Sequence, residues 1–346
     1  MSHATRQGAP SRRLPPAISP PPANLQKKEP GTASQSMDGL SWVLLITLSI
    51  LWGGSFFFTE IALRAVPPFT LVLARVALAT AILWLAIGLR GVSIPRAPML
   101  WPSFLIMGIL NNVIPFSLIV WSQTHIASGL AAILNATTPL FTLIIAHIAT
   151  DTEKLTWRKI TGVITGFMGV VIVTGLSAAT SLSLSAIAPL AVLGAAFSYG
   201  CAGVFGRRFK SVPPIVTAAG QTTGSSIVLA PIALLVDKPW QLAMPGLPAW
   251  LAVLGIASIS TALAYILYFK LLNRAGASNL LLVTFLIPVS AILLGVAFLG
   301  EQLHMTDIVG MMVIGLGLAI IDGRPLAWLF NSARKSPSAT PSRRIK

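Results

Sequence analysis

Polar side chains stranded within long apolar runs carry the chemistry of this sequence. In hydrocarbon such groups are costly unless they pair or line a wet cavity. One run holds Ser258, Thr261, Tyr265 and Tyr268, whose spacings of three, four and three share one helix face. A second holds Asn111, Asn112 and Ser122 around Pro115, and a third holds Asn135, Thr137 and Thr138 just ahead of Pro139. Ser55 and Thr59 follow Trp52 on one face, Ser198 adjoins Tyr199, and Thr284 precedes Pro288 by one turn. Trp52, Tyr199, Tyr265 and Tyr268 suit the aromatic lining of a substrate pocket, with Ser55, Asn111, Asn112, Asn135, Thr261 and Thr284 as its polar contacts. A proline leaves the carbonyl four residues back without its helical donor. Pro139 and Pro288 therefore mark helix bends with freed carbonyls at Asn135 and Thr284. The competing reading is packing, since Ser and Thr also bond back to their own helical turn and Tyr collects at membrane interfaces.

Arg75 is the one basic residue well inside an apolar run, and it needs a partner. Glu60 is the expected one, although Glu60 can equally pair with Arg64 one turn on. The Glu60–Arg75 pair reads as a structural ion pair or as an anion-attracting gate. Gly162, Gly166 and Gly310 repeat at small-xxx-small spacing, which lets helices approach closely, with a homodimer as the alternative use. Glu153 and Glu301 stand where runs begin, opposing the positive end of a helix. An intramembrane enzyme would need a nucleophile with its base, paired aspartates or metal ligands. The runs hold none of these, so no catalytic residue, metal or cofactor is expected. The single cysteine, Cys201, excludes a disulfide within the chain and reads as a packing residue.

The elements that position these groups are helices. Hydrophobic residues make up 55% of the 346 and charged residues only 10%. A soluble domain carries about 25% charged residues to wet its surface. The apolar stretches are continuous rather than alternating, which excludes barrel strands and fits membrane-spanning helices. Ten are expected, over 41–62, 68–89, 100–122, 126–148, 156–176, 185–206, 215–236, 247–271, 278–299 and 306–323. Residues 1–38 are Pro-rich and basic and read as a disordered tail, with Met37 an alternative start; 331–346 form a second basic tail. With the N-terminus in the cytoplasm, 21 of the 24 Lys and Arg lie inside, Arg64 and Lys238 outside, and Arg75 within a span. That asymmetry places both termini in the cytoplasm of a multi-pass cell-membrane protein. It also accounts for the net charge of +15 without nucleic acid as a partner.

The two halves repeat. Val66-Pro67-Pro68 returns as Val212-Pro213-Pro214, Trp52-Gly53 as Tyr199-Gly200, Pro139 as Pro288, Glu153 as Glu301 and Gly162 as Gly310. Five helices per half is an odd number, so the halves are expected to be inverted, over 39–176 and 177–330. Two copies of these motifs, with Leu51-Trp52-Gly53-Gly54-Ser55-Phe56, Arg75 and the glycine-rich runs after Glu153 and Glu301, resemble the EamA-like permeases of the drug/metabolite transporter superfamily. The resemblance covers about residues 40–323 and implies an all-α integral membrane fold of ten transmembrane helices in two inverted five-helix repeats. It also implies transport of small metabolites, such as amino acids or related compounds. Alternating access at a central cavity between the repeats is the expected mechanism, with the lipid bilayer and a small molecule as partners. The alternatives are a lipid or amphiphile flippase and a non-transporting scaffold.

Overall fold

The computed structural model describes residues 37–150, 155–175, 183–280 and 282–323. Glu153 and the expected tails, apart from Met37 and Asp38, lie outside these residues. Among them nine helices are long and apolar enough to cross a membrane. They are α1 Gly39–Leu63, α2 Pro68–Arg90, α3 Leu100–Gln123, α4 Ser128–Ala149, α5 Trp157–Thr174, α6 Leu184–Phe209, α7 Pro214–Val236, α8 Leu247–Leu272 and, last in the chain, α10 Met305–Asp322. The remaining apolar stretch, expected over 278–299, forms the shorter helix α9, Val283–Leu299.

Local chemistry sets the starts of these helices. Asp38 caps α1 by accepting from Ser41 N at 3.0 Å, and Pro68 and Pro214 occupy first-turn positions where no donor is missed. The outside of the bundle is apolar, with Leu85, Leu89, Leu235, Leu293 and Phe298 exposed, as a surface solvated by lipid requires. The chain turns from α8 towards α9 at Gly276, whose φ of 78° is a conformation side chains rarely adopt.

Helix contacts pair the halves. Under the sequence repeat, α1 on α9 corresponds to α6 on α4, α3 on α6 to α8 on α1, and α3 on α7 to α8 on α2. The helices α2 and α7 pack on each other, as do α5 and α10. The last pair is a glycine contact. A Cβ on Gly162 would lie 2.6 Å from Gly317 O, and one on Gly317 would lie 2.6 Å from Gly162 O. Gly169 and Gly310 face each other in the same way, so this small-residue stripe is occupied within the chain.

The Trp52-Gly53 and Tyr199-Gly200 motifs acquire a shared geometry. A Cβ on Gly53 would meet Ala291 N of α9 at 2.8 Å, and one on Gly200 would meet Thr142 N of α4 at 3.0 Å. In both halves the glycine lets two backbones cross while the preceding aromatic points into the space between the halves.

Three of the long helices are irregular. The α4 helix breaks at Ala136–Thr137, between Asn135 and Pro139. The carbonyl of Asn135 that Pro139 leaves free accepts from Thr138 Oγ1 at 2.8 Å. Pro288, by contrast, sits within the continuous stretch Val283–Leu294. The α3 and α8 helices each contain a π-helical turn, Ile109–Val113 and Ser258–Leu263, at corresponding places in the two halves. Such turns insert an extra residue and concentrate at functional sites.

Candidate functional site

The two π turns face a cavity of about 720 Å³ between the halves. All three tyrosines of the sequence, Tyr199, Tyr265 and Tyr268, line it with Trp52, Phe56 and Phe116. Ser55, Asn111, Asn135, Thr261 and Thr284 line it too, as does Arg75. Trp52 and Tyr268 touch, with ring centroids 5.6 Å apart, and Tyr199 meets Phe116 edge-on at 6.5 Å. At one end the cavity reaches Lys210, whose side chain is exposed, so that end meets solvent. At the other it reaches Val120 and Gln123, which are buried.

Arg75 is only 7% exposed. Its Nε donates to Thr261 Oγ1 at 3.0 Å, and its guanidinium lies 3.7 Å from the centre of the Phe116 ring. Thr261 in turn donates to Ile256 O at 2.8 Å, five residues back, a reach the π turn creates. The expected Glu60–Arg75 ion pair does not form. Glu301, Arg64 and Gln123 are the groups that bear on Glu60 instead, and one of its carboxyl oxygens, Oε2, is buried without a partner. The physical reason is that the inner turns of α2 face α8 and α3, so a hydroxyl and a ring face, rather than a carboxylate, meet the guanidinium.

The second half of the polar seam runs through Asn111. Its Nδ2 donates to Gln221 Oε1 and to Tyr265 Oη, both at 3.1 Å. Tyr265 Oη donates to Asn112 Oδ1 at 3.1 Å, and Asn112 Nδ2 to Ser225 Oγ at 2.9 Å. Asn112 is completely buried and stands behind the cavity wall, where it holds Tyr265 rather than facing the space. Carbonyls along the α3 π turn accept from the other half: Leu110 O from Ser198 Oγ at 2.7 Å, and Gly108 O from Ser225 Oγ at 3.1 Å, a hydroxyl shared with Gln221 O at 2.7 Å. The π turn in α8 also changes the expected face. Ser258 bonds back to Leu254 O, and Ser260 lines the cavity in its place. The even helical spacing that grouped Ser258 with Thr261 fails where one extra residue enters the turn.

Four buried polar atoms on the described lining residues have no partner: Gln123 Oε1, Asn135 Oδ1, Thr217 Oγ1 and Ser260 Oγ. Among the described residues no carboxylate lines the cavity; Arg75 and Lys210 are its only charged residues. Gln221, Phe116, Gln123 and Thr217 are lining residues that the sequence reading did not single out. Gln221 carried a usable signal, because it stands 146 residues after Arg75, the offset that relates Val66-Pro67-Pro68 to Val212-Pro213-Pro214. Glu301 does not cap its own helix as expected. Its carboxylate accepts from Ser128 N at 2.7 Å and Gly129 N at 3.1 Å, at the start of α4.

Residues 39–175 and again 186–322 match the model of the EamA-like transporter family. The chain belongs to the EamA-like transporter family. The uncharacterized inner membrane transporter YedA of Escherichia coli (strain K12) is 27% identical over 278 residues, 80% of this chain and 89% of its own length. The uncharacterized transporter YoaV of Bacillus subtilis (strain 168) is 22% identical over 79% of this chain and 94% of its own. A probable terminal-alkyne amino-acid exporter of Streptantibioticus cattleyicolor is 23% identical over 88% of this chain and 98% of its own. A solved crystal structure shares the fold with a TM-score of 0.62 at 22% identity, over 84% of this chain and 98% of that one. This EamA-like chain is thus a multi-pass membrane transporter with a small-molecule cargo, and not an enzyme.

Proposed function

We propose that this EamA-like transporter carries small amphiphilic carboxylates, amino acids or related compounds, through the cavity between its halves. One observation carries the proposal: a buried guanidinium faces an aromatic cavity that contains no carboxylate among the described residues. Arg75 spends one donor on Thr261, and a guanidinium has four more in a planar fork that suits a carboxylate. A cargo anion supplies the charge that the protein withholds. Asn135 Oδ1, without a partner, accepts an N–H or ammonium from the same cargo, and Trp52 and Tyr268 cover its apolar part.

Alternating access between two inverted five-helix repeats is the mechanism this reading uses. The α9 stretch counts as the tenth span, and both termini lie in the cytoplasm of the cell membrane on the charge asymmetry. The open end at Lys210 is then cytoplasmic and the closed end at Gln123 external. Purified protein in proteoliposomes, offered neutral amino acids and their methyl esters, tests the proposal. Transport of the acids with little transport of the esters is expected, and equal handling of both would overturn it.

A further inference from the structure

Two helices at the closed end of the cavity cannot cap their own starts. Pro67 precedes α2 and Ala127 precedes α4, and neither carries a side-chain acceptor for the free backbone donors. By contrast Asp38, Thr156 and Ser183 cap α1, α5 and α6 from the residue before the helix. The missing caps come from the other half. Asp237, just after α7, accepts through Oδ2 from Thr70 N at 2.6 Å and from Thr70 Oγ1 at 2.9 Å. Glu301, shortly after α9, accepts from Ser128 N and Gly129 N with one oxygen each. Its seat is built, since a Cβ on Gly295 would collide with this carboxylate. Both contacts lie at the Gln123 end. Gln123 donates to Phe56 O at 2.9 Å, which brings the last turns of α1 and α3 together, and α2 and α4 begin just beyond them.

The opposite end lacks the first of these contacts. The repeat places Val216 at the position of Thr70 and Gly91 at that of Asp237, each 146 residues away. Pro213 leaves the start of α7 as short of an acceptor as Pro67 leaves α2, and Gly91 has no side chain to supply one. That is the end at which the cavity is open, beside Val212 and Pro214. Glu153, the counterpart of Glu301, lies outside the described residues. Hydrogen bonds to a carboxylate are about twice as strong as neutral ones, so the two ends are held unequally. We infer that Asp237 and Glu301 form a latch between the halves that keeps the Gln123 end shut. Its Asp237 arm has no counterpart at the Lys210 end, so the protein rests open there. Opening the Gln123 end requires both carboxylates to release the starts of α2 and α4. This switch rests on the alternating-access reading, whereas the bonds themselves do not.

The test contains no cargo, so its failure leaves the carboxylate proposal to the ester comparison. Full-length protein with Cys201→Ser receives spin-label pairs at corresponding places in the two halves. Ala65→Cys with Trp240→Cys reports the latched end, and Ser211→Cys with Ile94→Cys the other; all four positions are exposed. Pulsed electron–electron distances are recorded in nanodiscs with and without Asp237→Ala and Glu301→Ala. A bond to a charged group is strong enough to shift a two-state ratio about tenfold to a hundredfold. Each single variant is expected to raise a longer-distance population at the latched end by about tenfold or more. A shorter-distance population should grow at the other end, and the double variant should raise both further. Unchanged distances in the double variant overturn the inference. A lower unfolding temperature without a distance change also overturns it and assigns the carboxylates to capping alone. So does a longer distance at the latched end with no change at the other, which is fraying rather than a switch. If Asp237→Ala does not fold, Thr70→Val decides by removing only the hydroxyl bond. The same shift at smaller amplitude is expected, and unmoved distances refute the latch.

Discussion

Arg75 and Gln221 occupy the same position in the two halves, 146 residues apart, and each bonds the π turn of the other half. Arg75 reaches Thr261 at 3.0 Å, and Gln221 accepts from Asn111 at 3.1 Å. The seam is thus built twice from one plan, with a long polar side chain on the second helix of a half and a π turn on the third helix of the other. Only one of the two long side chains is charged. That difference makes the seam polar on both sides and charged on one, so the proposed carboxylate cargo would find its counter-charge on one side only.

Removal of the guanidinium should therefore weaken cargo rather than dissolve the fold. A hydrogen bond to a charged group contributes about 1.5–3 kcal/mol, roughly tenfold to a hundredfold in apparent affinity. Arg75→Ala in proteoliposomes is expected to lose carboxylate transport by that factor. Arg75→Lys should recover part of it, since the charge returns without the planar fork. Full carboxylate transport by Arg75→Ala at normal expression would sink the assignment.

Two neighbouring glycines give a sharp contrast in stability. Gly53 has no room for a Cβ, because Ser290 and Ala291 of α9 already fill that space, while a Cβ on Gly54 would meet only ordinary contacts at 3.8 Å or more. Overpacking of this kind costs about 1–3 kcal/mol. Gly53→Ala should lower the unfolding temperature in detergent clearly, and Gly54→Ala should leave it nearly unchanged. Equal effects would mean that α1 and α9 do not cross where the structure places them.

The elements were legible wherever they depended on composition alone. Nine of the ten expected runs coincide with helices to within three residues, because an unbroken apolar run has no other stable form in lipid. The duplication was legible through Trp52-Gly53 and Tyr199-Gly200, whose shared crossing geometry explains why that pair is repeated. Ser258 was misplaced because a π turn leaves no periodic signature, and one inserted residue rotates everything beyond it. Arg75 was paired with Glu60 because both are ionisable, yet its partner Thr261 lies 186 residues away, and sequence proximity carries no information at that range. Glu301 shows the same limit, since it caps the helix beginning at Ser128, 173 residues earlier, instead of its own.

The proposed orientation in the membrane makes a prediction that labelling can read. Cys201 is the only native cysteine, so Cys201→Ser gives a clean background. Lys210→Cys and Lys238→Cys then probe opposite ends of α7, and both positions are exposed. In intact cells a membrane-impermeant maleimide should label Lys238→Cys and spare Lys210→Cys until the membrane is opened. The reverse pattern would turn the protein over and place the open end of the cavity outside.

A further prediction concerns the start of α1, where Asp38 pairs with Arg274 just beyond α8. The side-chain bond to Arg274 comes first, and bonds from Ser41 add to it; together they hold the Asp38 carboxyl well below the usual carboxylate range. A folded value that is depressed adds stability above the unfolded value, about 3.9, and loses it as pH falls towards the folded one. Both side chains are nearly half exposed, so the effect is small and screened by salt. Asp38→Asn isolates the charge, because asparagine still caps the helix through its side-chain oxygen. At neutral pH and low salt this variant should unfold at a slightly lower temperature than the parent. The gap should close on acidification below the ordinary carboxylate range, and close again at neutral pH when salt is added. Arg274→Gln should reproduce both behaviours, since it removes the other half of the same pair. A gap that survives acid and salt would assign the stabilisation to the cap alone and leave the ion pair without a role.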